Sequence, residues 1–238
     1  MPQQEELHAL NANGALSHFG VAPVQPCKYT FPVQDFKSAV VLASTFTDLV
    51  LGTLQEVVER FAMGKNFNLA RQISSVIGQE GEQQGLYRVL QDKIPSELPF
   101  LTTSDLNFAF TAIQSFVVPG SCPNIQEIPL RTFEPLEITT PPGPQTQNIT
   151  VRFVDPHFKV GNQLWITYIN QQNLPIVESL HTLSQENGAV VAKATFPYTE
   201  HEMNGLTIAA ITKCRGPFGN ASSVAADTIA GPGLIIVN

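Results

Sequence analysis

The chain has 238 residues, room for one large domain or for two that each bury a core of their own. Only 14% of its residues are charged and 43% are hydrophobic, so its surface leans on Gln, Asn, Ser and Thr, and a disordered chain is excluded. A net charge of −7 with no run of basic residues excludes a nucleic-acid groove and an anionic membrane surface as natural partners.

Taken in chain order, the opening stretch from Pro2 to His18 is helical in pattern through Leu7, Leu10 and Leu16. From Ser38 to Met63 the apolar residues Val41, Leu42, Phe46, Leu49, Val50, Leu54, Val57, Val58 and Phe61 step by three and four, as on a helix with one wide buried face. Gly64 stops it, and a second long helix is expected from Asn66 to Gln91, with Pro95 beyond its end. The two read as an antiparallel hairpin. A shorter helix follows the cap-forming run Thr102-Thr-Ser-Asp105 and carries Leu106, Phe108, Phe110 and Ile113. No window reaches the ~18 unbroken apolar residues of a membrane helix, since the longest stretch carries Asp48 with several Thr and Ser.

The segment Thr139 to Asn148 packs Pro141, Pro142, Gly143 and Pro144 together, and we read it as the boundary between a helical domain at 1–140 and a strand domain at 141–238. The acidity lies before it, with net charges of −6 and −1 on the two sides. After it the period changes to two. Ile149, Val151 and Phe153, then Leu164, Ile166 and Tyr168, mark half-buried strands. Further strands are expected at Ala189–Phe196, Leu206–Thr212 and Leu234–Val237, with a weaker one near Ile176–Leu183. This pattern suggests an antiparallel β-sandwich of immunoglobulin-like type without the paired Cys of antibody domains.

Motifs with chemistry are few. Glu5-x-x-His8 and Glu80-x-x-Gln83 place i and i+3 on one helix face, and Glu-x-x-His on two helices is the ligand pattern of di-iron bundles. His157, His181 and His201 share no spacing, and Glu200-His201-Glu202 reads as a solvated loop. No Cys-x-x-Cys, G-x-S-x-G or G-x-G-x-x-G fingerprint starts a zinc, hydrolase or dinucleotide reading. Trp165 and neighbouring aromatics could form a sugar-stacking platform, which would make carbohydrate a partner, though a lone strand Trp is more often core. Cys27, Cys122 and Cys214 allow one bridge and one free thiol. The triplets at Asn148 and Asn220 fit glycosylation of an extracellular or cell-wall protein. The start, MPQQEELHAL, shows no secretory signal, which leaves open whether one was removed.

The segments Cys27-Lys-Tyr-Thr-Phe-Pro-Val33, Val41-Leu-Ala-Ser44, Ser75-Val-Ile-Gly-Gln-Glu-Gly-Glu-Gln-Gln-Gly-Leu-Tyr-Arg88, Ser121-Cys-Pro123 and Phe133-Glu-Pro-Leu136, in that order, resemble the fungal ferritin-like family linked to sexual development and to stress or desiccation. The resemblance covers about residues 1–140. It implies a ferritin-like bundle in which Glu5 and His8 match the second helix's ligands and Glu80 the fourth's. It also implies a Cys27–Cys122 pair, worth about 4 kcal/mol in the chain-entropy model for a loop of nearly 100 residues. Gln83 stands where the fourth helix's His belongs, only Asp48 is near the third helix's Glu position, and the first helix is missing. A di-iron site wants about four carboxylates and two His, so no cofactor is expected, with iron or manganese as the alternative. The expected function is therefore a non-enzymatic structural or interaction protein of a fungal cell surface, spore or fruiting body. The alternatives are a di-iron type oxidase or iron-handling protein, and a carbohydrate-binding protein. The missing helix leaves the apolar Ser38–Met63 face to be covered, by a second copy in a homo-oligomer, by a retained N-terminal fragment, or in part by the Phe108 helix.

Overall fold

Asp35 opens the longest helix with a reciprocal cap. Its side chain accepts from the Ser38 N–H at 2.7 Å, while the Ser38 hydroxyl accepts from the Asp35 N–H. The computed structural model describes residues 2–96, 98–159, 161, 163–186 and 188–238. Its helical layer comprises α1 (Pro2–His18), α2 (Phe36–Met63), α3 (Phe67–Val89) and α4 (Leu106–Gln114). Gln84 on α3 donates to Ser44 on α2 at 3.0 Å, and the two residues stand about equally far from the short connection at 64–66, so α2 and α3 form the expected antiparallel hairpin. The Asp105 side chain caps α4 through the Asn107 N–H.

The strands are β1 (Leu136–Ile138), β2 (Gln147–Phe153), β3 (Trp165–Asn170), β4 (Ile176–Ser179), β5 (His181–Glu186), β6 (Ala189–Phe196), β7 (Gly205–Thr212) and β8 (Thr228–Val237). They make two antiparallel sheets of four strands, ordered β1-β2-β6-β5 and β4-β3-β7-β8. Ile149, Val151, Phe153, Ala192, Ala194 and Phe196 of the first sheet meet Ile166, Tyr168, Ala209 and Ile211 of the second in one apolar core. Two short helices, α5 (Tyr198–His201) and α6 (Ala221–Asp227), lie in the connections of this part.

The structure departs from the expected pattern at several elements. The half-buried strand predicted around Ile166 and Tyr168 is buried along nearly its whole length, and β7 is buried at every residue, because helices cover the outer face of their sheet. On that face Leu49 of α2 and Phe108 of α4 pack with Ile169, Leu206, Ile208, Ala210 and residues of α6. Part of the apolar face of α2 that seemed to need a foreign cover is thus covered by this chain's own sheet. The weaker strand expected near Ile176–Leu183 is two strands, β4 and β5, which part at Leu180 and join different sheets. Strand β1 lies ahead of the Pro-rich segment, within the residues placed in the helical domain.

Helix α2 is long and apolar enough, by length and composition, to cross a membrane. It carries buried Asp48 and Glu56 and packs on α3 and the sheet, which is the setting of a core helix. Its contact with the sheet side is close at Gly52, where a Cβ would fall 2.3 Å from the Thr102 carbonyl oxygen. No larger residue lets the backbones approach this way.

Candidate functional site

Glu5 and His8 lie one turn apart on α1, and Glu80 faces them from α3. One ligand atom from each falls within 4.8 Å of the other two. His8 Nδ1 lies 3.5 Å from Glu5 Oε2 and 3.7 Å from Glu80 Oε1, and this nitrogen is buried with no hydrogen-bond partner among the described residues. The Glu80 side chain is 8% exposed. Burial, and then the charge of Glu5, push its carboxyl up to about 7. Tyr87, two turns along α3, feels the same surroundings: burial first, then Glu5 and Glu80, raise its hydroxyl.

Gln83 settles what the second half of this motif does. Its amide Nε2 donates to Glu5 Oε1 at 2.8 Å, so a neutral donor meets one carboxylate oxygen where the resemblance would put an imidazole ligand. Asp48 is buried on α2 but stands outside the three-residue group. The donor set is one imidazole and two carboxylates. It falls short of a two-metal site and is at most enough for one divalent cation.

An apolar cavity of about 650 Å³ runs from this cluster between α1, α2 and α3. His8 and Glu80 belong to its wall, with Leu54, Val57 and Phe61 on α2 and Leu69, Ile73 and Val76 on α3. A second apolar cavity, of about 830 Å³, lies between α1, the Cys27 segment and α4. Helix α1 is therefore flanked by open space, and its Leu7 and Leu10 are exposed.

The remaining predicted residues lie apart from this cluster. Cys27 and Cys122 form a disulfide across a sequence separation of 95, and Cys214 is a free, exposed thiol raised by its hydrogen bond to Asp227 and by that residue's charge. Asn148 is exposed on β2, and Asn220 is exposed while its side chain caps α6 through the Ser223 N–H. His157, His181 and His201 are exposed, and Trp165 is half-buried at the start of β3.

Two features escaped the sequence reading. The cavity is one, since its walls come from three helices. The other is Glu56, buried on α2, whose carboxylate accepts from Arg60 Nε at 2.8 Å, the Ser222 hydroxyl at 3.0 Å and the Leu106 N–H at 2.7 Å. A glutamate within the mainly apolar run Leu49 to Val58 was the available signal. No protein-family model and no curated protein matches the chain.

Proposed function

We propose that the chain is a non-enzymatic interaction protein, built on an incomplete ferritin-like bundle and an immunoglobulin-like sandwich, that acts at a fungal cell surface, spore or fruiting body. The observation that carries the non-enzymatic reading is the Gln83 amide on Glu5, which leaves one imidazole and two carboxylates where di-iron chemistry needs about twice that number. The Cys27–Cys122 disulfide and the exposed Asn148 and Asn220 support an oxidising, extracellular setting. Exposed Phe36, Val41 and Met63 on α2 support a homo-oligomer or a retained fragment as partner.

A second reading rests on one specific observation, the convergence of Glu5, His8 and Glu80 within 4.8 Å, which suits a single iron or manganese ion. Metal analysis tests both. Purified protein incubated with ferrous or manganous ion and desalted is expected to retain well under one ion per chain. Near-stoichiometric retention favours the second reading, and about two ions per chain overturns the first altogether.

A further inference from the structure

The cavity beside α1 has two unlike ends. Most of its wall is aliphatic or aromatic, and its volume of about 650 Å³ is in the range of pockets that hold small molecules. At one end stand groups with unused hydrogen-bonding capacity. Glu80 is more than nine-tenths buried and accepts no hydrogen bond among the described residues, and His8 Nδ1 is buried without a hydrogen-bond partner. Glu5 has one oxygen taken by Gln83, while its other oxygen faces His8. With Glu80 ionised and the His8 proton on the other ring nitrogen, all three open positions are acceptors, and two of the three groups are carboxylates. What this end lacks is a compact cation with several N–H donors.

We propose that this cavity binds a long-chain aliphatic amine, with its ammonium among Glu5, His8 and Glu80 and its hydrocarbon chain along Leu54, Val57, Leu69, Ile73 and Val76. An ammonium carries three N–H donors, one for each open acceptor, and its charge is opposite to that of the carboxylates. A fatty acid would bring a third carboxylate into the cluster, and an alcohol offers a single donor without charge. From His8 to the end of α1 at His18, just before Phe19 on the cavity wall, the helix rises about 15 Å, the span of an extended chain of about a dozen carbons. A bare metal ion would satisfy the head end and leave the apolar length unused. The inference rests on these side chains and holds whether or not the bundle is ferritin-like.

Calorimetric titration of the intact protein, in chelator-treated buffer at amine concentrations below micelle formation, tests it with n-hexylamine, n-octylamine and n-decylamine against decanol and decanoate. The expected result is one site per chain, with affinity rising roughly threefold to fourfold per added CH₂ and with decylamine preferred at least tenfold over decanol and decanoate. Glu80→Gln should erase the preference for amine over alcohol and keep the dependence on chain length. Val76→Phe, which fills the cavity, should remove the dependence on chain length. Ala12→Leu, on the α1 wall, gives an independent block if the Val76 variant melts early. Equal binding of decanol and decylamine, several weak sites unaffected by Val76→Phe, or saturation by manganese with no amine binding would each overturn the proposal. The metal analysis above is scored separately, so either idea can fail alone.

Discussion

The seam where α2 and α4 meet the second sheet and the flank where α1 rests against α3 are both part-polar helix contacts, yet they are built in opposite ways. At the seam no buried side-chain polar atom lacks a partner among the described residues. Glu56 joins Arg60, Ser222 and the first turn of α4, and the Thr102 hydroxyl donates to the Leu206 carbonyl while accepting from the Gln171 N–H. Asn170 reaches the Asn204 carbonyl at 2.9 Å and the Thr207 hydroxyl at 3.0 Å. On the α1 flank and across the α2–α3 hairpin, His8 Nδ1, Gln79 Oε1 and Gln84 Oε1 are buried without hydrogen-bond partners among the described residues, and two large cavities border α1. A fully matched seam specifies one arrangement. Unmatched polar atoms beside apolar space mark where the chain has capacity left for something else.

The largest expected effect breaks the seam by volume alone. Gly52→Ala places a methyl group 2.3 Å from a backbone oxygen that cannot swing aside, so α2 must move off the 102–104 segment. We expect a loss of about 3 kcal/mol in urea-denaturation stability. A loss under about 0.5 kcal/mol would show that the seam is looser than its contacts imply.

Next in size is Glu56→Ala, which removes a shared acceptor and leaves the Leu106 N–H and the Ser222 hydroxyl unmatched. A loss of about 2 kcal/mol is expected. Arg60, about half exposed, should contribute little of it, so Arg60→Ala alone should cost under about 1 kcal/mol. If the two variants cost the same, Glu56 acts as a surface ion pair and the contrast between the regions weakens.

How much of this contrast could be read from the chain depends on distance in sequence. The α2–α3 hairpin was legible because Leu49, Leu54, Val57 and Phe61 repeat within one element, and the α4 cap because Asp105 directly precedes its helix. Strand β8 was read only from Leu234 because Gly231-Pro232-Gly233 looks like a turn, whereas those residues belong to a ten-residue strand whose register shifts twice against β7. Strand β1 has three residues, too few to show a period. Of the site, Glu5, His8 and Glu80 were named from spacing and resemblance, and the fold brings them together. The partners of Glu56 come from residues 60, 106 and 222, and no local pattern joins them.

On the flank, the expected effects are smaller and one depends on pH. The Glu80 carboxyl, raised from 4.5 to about 7, binds its proton more tightly in the native state than in the unfolded one. Its burial is therefore harmless below pH 4.5, costs more as pH rises towards 7, and costs its full amount above that. Glu80→Gln should leave stability at pH 4.5 unchanged and raise it by about 1 kcal/mol at pH 8, allowing for solvent screening. Thermal melts at both pH values check this. An equal gain at both would mean that packing and not ionisation sets the difference.

The smallest effect sharpens the comparison by repeating one substitution elsewhere. Gly78 lies on α3 with no atom beyond its own helical backbone within 4 Å of the position where a Cβ would stand, so Ala there meets no other element. Its helical backbone has no need of a glycine's freedom, and Ala restricts the unfolded chain more than Gly does. Gly78→Ala should therefore stabilise the protein by about 0.5 kcal/mol, opposite in sign to Gly52→Ala, when both are measured by the same urea titration. Because the residue change is identical, helix propensity cannot account for the reversal, and what differs between the two sites is only what lies across from the helix. Destabilisation at Gly78 would mean that something packs on this face of α3 in solution, and the flank would then be an interface instead of open surface.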